Sequence, residues 1–315
     1  MIDGILYYFC VFIIIDLATE IHERKYTEAE ASAKYLSLSA GNTITLSGAS
    51  LKADDKAELT AGKDIRLTAE KDLYAEDASV GKRKGSYYQR LKTEDEAVKG
   101  TLISSAGEVR LKAGEDISLK GSGITSEKGK ISLTAGKDIS MMDEKEHHET
   151  IHEYHSHVSG LLSSKTKDLY EAGKTDPVRG SLISGNETHM ESGRDMTITG
   201  SAVVSSKDTT LLAGRNFKAE STEERSGSTY RESVKKRGLL SGGLGFTMGS
   251  EKRKDRYDSE AVEQVGSTIG SVEGSVHIGA GKDADIEASH ISAGKDLAVS
   301  GKNVTITSKD NVYTN

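Results

Sequence analysis

The sequence has no tryptophan, one cysteine and one proline, and only 5% of its residues are aromatic. A compact globular core in a chain of 315 residues normally uses more large aromatic side chains. The single cysteine, Cys10, excludes an internal disulfide framework. The shortage of proline removes a residue that interrupts β-ladders, so the composition favours a chain built largely from strands.

No single sign of charge dominates the sequence. The formal net charge is -7, and acidic and basic residues are interspersed along the chain. A nucleic-acid-binding protein normally shows a basic excess on one face or one segment. The charge pattern therefore predicts no nucleic-acid partner.

Residues 1–19 contain the longest apolar run, from Ile5 to Ile15. The run is too short to span a bilayer, which needs about 20 apolar residues. Asp3 precedes it, Asp16 follows it, and no basic residue comes before it, which is atypical of a signal peptide. We interpret residues 1–19 as the start of a fragment or a terminal strand, with an export signal as the alternative.

A pentapeptide turn recurs along the rest of the chain, as in Ala61–Ile65, Ala113–Ile117 and Ala135–Ile139. A fixed turn followed by an alternating apolar strand is typical of a solenoid. We expect the glycine of each turn to adopt a positive φ and the following aspartate to bond its own backbone. The predicted structural turn glycines are Gly62, Gly114, Gly136, Gly193, Gly214, Gly281 and Gly294.

The turn glycines recur about every 20–22 residues, which leaves room for two or three short strands in each period. Apolar residues alternate with polar ones within these periods, as in Ile117 and Leu119, so one side of each strand is predicted to be buried. The sequence therefore predicts an all-β parallel β-solenoid over residues 20–315. About eight coils would form a rod of roughly 40 Å.

A longer period is superimposed on the coils. Gly100–Ser104 is matched by Gly180–Ser184 and again by Gly266–Gly270. Each long unit contains two coils followed by a polar, hairpin-like insertion, and we place the insertions near 76–99, 142–179 and 221–265. They leave the solenoid at the same phase, so we expect them on one side, where repeat proteins often make contacts.

The third insertion has a glycine-rich apolar centre that resembles the end of a hairpin. One interpretation is an apolar tip that touches a membrane or a partner, and the alternative is a loop folded against the solenoid. The candidate contact residues are Leu239, Leu240, Leu244, Phe246 and Met248.

The second insertion contains the motif His148-Glu149-Thr150-Ile151-His152. On a helix this spacing binds zinc, and His155 is the nearest third ligand. The segment has no apolar helical face that would hold the ligands in place, so we predict no enzyme activity, no metal and no cofactor. Weak zinc binding through His148, His152 and His155, a pH-responsive loop and a solvated polar loop remain as alternatives.

Three short basic runs occur in the insertions, at 82–84, 235–237 and 252–254. Acidic residues follow them closely. We interpret these runs as solvated hairpin strands, with an anion-binding site as the alternative.

The repeats resemble the haemagglutinin repeat of filamentous haemagglutinin-like exoproteins, a family of adhesins and contact-dependent growth-inhibition toxin stalks. Gly266–Ile269, Ala280–Asp283 and Gly301–Val304 look like its standard coil, and Gly243–Ser250 looks like its glycine-rich interruption. The resemblance covers Glu20–Asn315. It implies a right-handed β-helix, export through an outer-membrane two-partner secretion transporter, and a place in a secreted or cell-surface filament.

The sequence therefore predicts a structural and adhesive stalk segment that contacts host or bacterial cell surfaces. The alternative is a stalk that helps deliver a toxin domain, absent from this chain, across a target outer membrane. The ends of a solenoid fragment tend to pair with other chains, so end-to-end self-association is a further expectation.

Overall fold

A computed structural model describes residues 17–83, 86–242 and 245–315, and every regular element in these ranges is a β-strand, numbered here β1 to β32. One sheet contains eight parallel strands, one from each coil. These strands are β3 (Ile44–Ser47), β5 (Ile65–Thr68), β10 (Ile117–Lys120), β13 (Ile139–Met142), β20 (Met196–Thr199), β23 (Phe217–Glu220), β28 (Asp283–Glu287) and β31 (Asn303–Thr307).

A second parallel sheet contains fourteen strands and forms the other two sides of each coil. Its strands are β2 (Ala29–Ala40), β4 (Ala49–Ala61), β8 (Leu102–Ser105), β9 (Glu108–Ala113), β11 (Gly123–Ser126), β12 (Lys130–Ala135), β18 (Leu182–Gly185), β19 (Glu187–Ser192), β21 (Ala202–Ser205), β22 (Thr209–Ala213), β26 (Thr268–Ser271), β27 (Val276–Ala280), β29 (His290–Ala293) and β30 (Leu297–Ser300). The long strand β4 joins the two sides, because its first half pairs with β8 and its second half with β9. The all-β parallel architecture predicted from the repeats is confirmed.

Apolar side chains of successive coils stack in register to fill the interior. Ile65, Ile117 and Ile139 are consecutive partners in the eight-stranded sheet, and all three are buried. Each fully buried aliphatic side chain contributes about 1.5–3 kcal/mol of transfer free energy. The narrow interior needs no large aromatic cluster, which explains how this chain folds with so few aromatic residues.

The turn glycines stack directly on one another, and the expected positive φ is wrong. Among the described glycines, positive φ occurs only at Gly48, Gly81, Gly121, Gly200 and Gly238. A Cβ on the pentapeptide glycines would instead lie about 2 Å from a carbonyl oxygen of the coil below, a separation that no real structure tolerates. The glycine ladder, as we call this stack, contains Gly41, Gly62, Gly114, Gly136, Gly193, Gly214 and Gly281. All of them except Gly41, where a Cβ would meet nothing within 4 Å, are required for close approach between coils.

Two further details of the turns differ from expectation. Gly294 lies at another corner, between β29 and β30, where its Cβ would lie 2.2 Å from the carbonyl oxygen of Val272. The carboxylates of the turn aspartates accept hydrogen bonds from the next coil rather than from their own backbone. For example, the Asp195 amide donates to Asp138 Oδ1 at 3.1 Å. Each carboxylate thus links two coils across the corner.

A third corner of the coil alternates between two connections. After odd-numbered coils, Gly48, Gly121, Gly200 and Ala288 turn the chain straight into the next coil, and all four have positive φ. After the second, fourth and sixth coils, a long antiparallel hairpin is inserted instead. The next coil then begins with a buried hydroxyl, as at Ser267, whose Oγ lies 2.8 Å from the carbonyl oxygen of Glu220, where the chain leaves for the hairpin.

The hairpins join side by side into one antiparallel sheet of eight strands, which we call the lateral sheet. Its strands are β1 (Leu17–Arg24), β6 (Glu70–Gly81), β7 (Tyr87–Lys99), β15 (His148–Ser159), β16 (Ser163–Asp176), β24 (Thr222–Gly242), β25 (Gly245–Val265) and β32 (Val312–Thr314). The first hairpin begins at Glu70, earlier than the predicted residue 76. A short pair, β14 (Glu144–Lys145) with β17 (Val178–Arg179), lies at the base of the second hairpin.

The spacing of strands explains why the hairpins meet. Coils and neighbouring strands are both about 4.8 Å apart, so two coils rise by about 9.6 Å, which is the width of a two-stranded hairpin. One hairpin after every second coil therefore fills the side of the solenoid without a gap. The strands β7 and β15, from different hairpins, accordingly pair in continuous register from Tyr87 to Asp95.

Candidate contact surface on the lateral sheet

A buried carboxylate at the base of the lateral sheet joins two of its hairpins. Glu146 is 5% exposed, and its Oε1 accepts the backbone amide of Val98 at 2.9 Å. The Nε of Arg179 donates to the other carboxylate oxygen, also at 2.9 Å. Burial opposes ionisation of Glu146, but the Val98 amide and the Arg179 guanidinium hold its pKa below the usual value. One charge thus ties the first hairpin to the second.

The lateral sheet is a single layer with two solvated faces. Side chains alternate between the faces along each strand, and those on the inner strands are mostly half-buried by their neighbours. One face, which we call the tyrosine face, carries Tyr74, Tyr87, Tyr154, Tyr230, Tyr257 and Tyr313. The opposite face, which we call the charged face, carries most of the ion pairs.

The tyrosine face exposes apolar surface. The rings of Tyr87 and Tyr154 meet edge to face with centroids 5.9 Å apart, across two different hairpins. Leu91 and Tyr257 on the same face are 46% and 52% exposed. Cross-strand aromatic pairs of this kind stabilise a sheet that has no second layer to pack against.

Ion pairs on the charged face link neighbouring hairpins. Lys92 of the first hairpin contacts Glu149 of the second at 3.1 Å, and Arg90 makes a two-pronged contact with Asp77 in its own hairpin. The hydrogen bond from Arg90 holds the pKa of Asp77 below its usual value. These pairs replace a hydrophobic core as the specific contacts between strands.

The candidate zinc ligands do not converge. Residues 148–159 form the strand β15, so His148 and His152 are about 13 Å apart along the tyrosine face rather than one helical turn apart. His155 lies on the charged face. Each histidine has its own acidic neighbour, with Nδ1 of His148 3.0 Å from Asp95 and Nδ1 of His155 2.6 Å from Asp168.

The histidines contact acidic side chains of neighbouring strands. The nearby Asp95 carboxylate raises the pKa of His148, against the smaller opposing effect of burial. His152 similarly places Nδ1 3.3 Å from Glu171. Within residues 17–83, 86–242 and 245–315, no group of three or more histidine, cysteine or acidic residues is arranged to hold a metal ion.

The predicted contact tip extends past the neighbouring hairpin. The backbone of β24 and β25 remains paired out to Gly242 and Gly245, and the pairs include Leu239 with Met248. The side chains of residues 239–248, with Leu239, Leu240, Leu244, Phe246 and Met248, lie outside the described residues. The backbone at Gly238 passes so close to Leu162 that a Cβ would lie 2.0 Å from its carbonyl oxygen.

Two features of this surface carry weak sequence signals. The buried hydroxyls that begin coils after a hairpin, such as Ser267, stand in the long repeat that includes Gly266–Gly270, but the repeat alone does not reveal their bonds. Pairing between hairpins leaves no local sequence pattern at all.

In the part of the chain that the structure describes, no helix has the length and apolar character needed to cross a membrane.

Comparison with known proteins gives a consistent picture. The family described as "Hemagglutinin repeat" matches residues 19–85, 80–170 and 162–315. The tRNA nuclease CdiA of Escherichia coli strain STEC_O31 is 33% identical over 295 residues, covering 85% of this chain and 8% of that protein. The 16S rRNA endonuclease CdiA of Enterobacter cloacae is 32% identical over 240 residues, covering 75% of this chain and 7% of that protein.

A further relative, the tRNA nuclease CdiA-2 of Burkholderia pseudomallei strain 1026b, is 28% identical and covers 85% of this chain and 8% of its own length. The chain thus spans less than a tenth of each of these three relatives. No solved structure matches it significantly.

Proposed function

We propose, from the premise that this chain belongs to the hemagglutinin-repeat family, that it is a stalk segment of a large filamentous haemagglutinin-like exoprotein and contacts cell surfaces through its lateral sheet. The observation that carries the proposal is the single-layer sheet along one side of a continuous solenoid. The solenoid supplies stiffness through its backbone ladders. The lateral sheet presents both of its faces to solvent, where a partner can reach them.

The finer features of the proposal follow from the family and the geometry. We infer a right-handed solenoid, because crossover connections between parallel strands are right-handed in nearly all proteins. The three hairpins, β6–β7, β15–β16 and β24–β25, supply contact surface, and the glycine ladder supplies the tight corner. The segment makes and breaks no covalent bond, and its role is mechanical and interfacial.

The proposed setting is the exterior of the cell. An outer-membrane two-partner secretion transporter would export the intact exoprotein, which would then be secreted or displayed at the surface. Host or bacterial cell surfaces are the proposed contact partners. Exposed ladder ends at the first and last described coils also favour end-to-end association between copies.

A second candidate function is toxin delivery, in which the stalk helps carry a toxin domain across a target outer membrane. The names of the relatives favour it, because the E. coli and B. pseudomallei proteins are named as tRNA nucleases. This chain covers only their repeat region, so any such toxin would lie elsewhere in the exoprotein. The two candidates differ in the surface that the stalk contacts.

Saturable binding of the purified chain to epithelial cells, intact bacteria and isolated outer membranes tests the proposal. Because Gly238 and Gly249 are cross-strand partners, replacing residues 239–248 with Asn-Gly closes the hairpin by a two-residue turn. A matched variant keeps the length and changes the apolar residues of 239–248 to threonine or serine. Saturable binding that both variants lose supports contact through the tip, and the bound cell type separates adhesion from delivery. Absence of binding to every surface contradicts a contact role.

A further inference from the structure

We propose that the tip of the lateral sheet binds the anionic phosphate headgroups of a lipid bilayer through four basic residues of the third hairpin. This inference rests on the proposed contact function and names its partner. The residues, which we call the cationic cluster, are Lys235, Arg237, Lys252 and Lys254.

Strand register brings the cationic cluster together. Lys235 and Lys252 are direct cross-strand partners, and Arg237 and Lys254 lie two residues further along their strands. All four side chains therefore project from the charged face. Like charges directly opposite one another destabilise an antiparallel pair. The isolated fold gains nothing from this arrangement, whereas an anion bound between the two strands would relieve the repulsion.

Within the described residues, none of the four members of the cationic cluster forms an ion pair. On the tyrosine face beside it, Lys167 contacts Glu232 at 2.9 Å and Lys236 contacts Glu251 at 3.7 Å, while Lys165 forms no ion pair with a described residue. The charged face thus gathers four basic residues without an ion-pair partner among the described residues, whereas the directly opposed lysines of the tyrosine face, Lys165 and Lys236, share a cross-strand row with the carboxylate of Glu251.

The side chains around the cationic cluster complete the chemistry of a phosphate site. Ser233 and Ser250 are cross-strand partners of Lys254 and Arg237, and Thr166 is the partner of Lys235 in the neighbouring hairpin. Hydroxyl and cationic donors together are the groups that hold phosphate oxygens. Asp168, the acidic residue of this face in the adjacent strand, is already paired with His155 at 2.6 Å.

Apolar residues beyond the cationic cluster favour a membrane over another polyanion. Leu161 and Leu162, in the turn of the second hairpin, are 99% and 57% exposed. The sequence of residues 239–248, at the end of the third hairpin, is also rich in large apolar residues. Cations placed just behind an apolar tip match the order of headgroups and acyl chains in a bilayer. A nucleic acid offers phosphate without an apolar phase.

Vesicle co-sedimentation with the full chain tests the inference. The chain is mixed with vesicles of equal parts phosphatidylglycerol and phosphatidylcholine, or of phosphatidylcholine alone, over a range of salt concentrations. We expect binding to the anionic vesicles only, and we expect salt to weaken it. The test variant removes three members of the cationic cluster: Lys235→Ala, Lys252→Ala and Lys254→Ala. Each lysine near an anionic surface is worth about five-fold in affinity, so the loss should be about a hundred-fold.

A matched control removes the same charge from the solenoid. Its three lysines are exposed and form no ion pair with a described residue: Lys112→Ala, Lys128→Ala and Lys207→Ala. We expect the control to bind within about two-fold of the unmodified chain, because these lysines lie far from the tip. Circular dichroism establishes that both variants keep the β-fold.

Three outcomes would overturn the inference. These are equal binding to both kinds of vesicle, equal losses in the test and control variants, and tighter binding to duplex DNA than to anionic vesicles at the same phosphate concentration. The proposed contact function is judged separately, by binding to whole cells. Binding to cells without binding to vesicles rejects only the headgroup site, whereas binding to neither rejects both.

Discussion

Alanine at Gly136 probes the glycine ladder at its centre. A Cβ there would lie 2.1 Å from the carbonyl oxygen of Gly114 and 3.0 Å from its carbonyl carbon. Normal contact between carbon and oxygen is more than 1 Å longer, and both groups belong to the backbone, so neither can rotate away. The corner must open. Opening strains two hydrogen bonds: the Gly136 amide donates to the Ala113 carbonyl at 3.1 Å, and the Asp138 amide donates to the Asp116 carboxylate at 3.0 Å.

The cost can be worked out from these contacts. Overpacking of a rigid site costs about 1–3 kcal/mol, and each weakened hydrogen bond adds about 1 kcal/mol. We therefore expect Gly136→Ala to lower the free energy of unfolding of its coil by about 4 kcal/mol. Gly41→Ala is the matched control. Gly41 occupies the same turn in the first coil, and its Cβ would meet nothing within 4 Å. We expect a change of no more than about 0.5 kcal/mol.

Urea denaturation followed by circular dichroism measures the overall effect. Hydrogen exchange of peptides that cover each turn measures the local effect, which matters because repeat proteins can unfold coil by coil. Equal destabilisation by Gly41→Ala and Gly136→Ala would refute the stacking argument and favour a conformational requirement at the turn. No destabilisation by either variant would refute both explanations.

Three further predictions follow from the corners and the histidine pairs. Ala288 has a φ of 43°, so Ala288→Gly should raise the free energy of unfolding by about 1 kcal/mol in urea denaturation, and a loss of stability would contradict this assignment. Ser267→Ala should cost about 1–3 kcal/mol in the same assay, because the carbonyls of Glu220 and Ile198 each lose a buried hydrogen bond from the hydroxyl, and an unchanged midpoint would show that the hydroxyl is dispensable. Asp95 raises the pKa of His148, so their pair should contribute fully below the unfolded pKa of about 6.5 and lose its contribution as pH rises through the folded pKa. Hydrogen exchange measures this effect. Protection of the β15 amides should fall as pH rises through the folded pKa in the native chain and should not change with pH in His148→Gln. Identical pH profiles of protection in the two proteins would contradict the pairing.

The coils of this chain could be predicted because each strand carries its own burial signal. Ile117 and Leu119 are buried and alternate with polar neighbours, and the same spacing returns at Ile139 and Met141. Stacking equivalent residues then follows from the repeat itself. The corner glycines were recognised for the wrong reason, because the spacing between coils is a property of the stack and cannot be read from one turn.

The lateral sheet could not be predicted as a single object. Its strands place polar groups on both faces, as at the neighbouring residues Tyr230 and Arg231. The sequence of these strands therefore does not alternate between apolar and polar residues, and it does not show which face would be buried. Which hairpins become neighbours depends on the rise of two coils, a three-dimensional quantity. The histidine motif shows the same limit, since the separation of His148 and His152 depends on whether the segment is a helix or a strand.

Two coils rise by the same distance as the width of one hairpin. This equality sets the smallest unit that can be duplicated or deleted in a gene for such a molecule without disrupting either sheet. Copying a single coil would shift every later hairpin by one strand width and break the lateral sheet with a gap of about 4.8 Å. Copying the block from Thr101 to Gly180, which holds two coils and one complete hairpin, would leave both sheets continuous. Duplication and deletion in whole blocks of this kind would change the length of the protein while preserving every contact between neighbours.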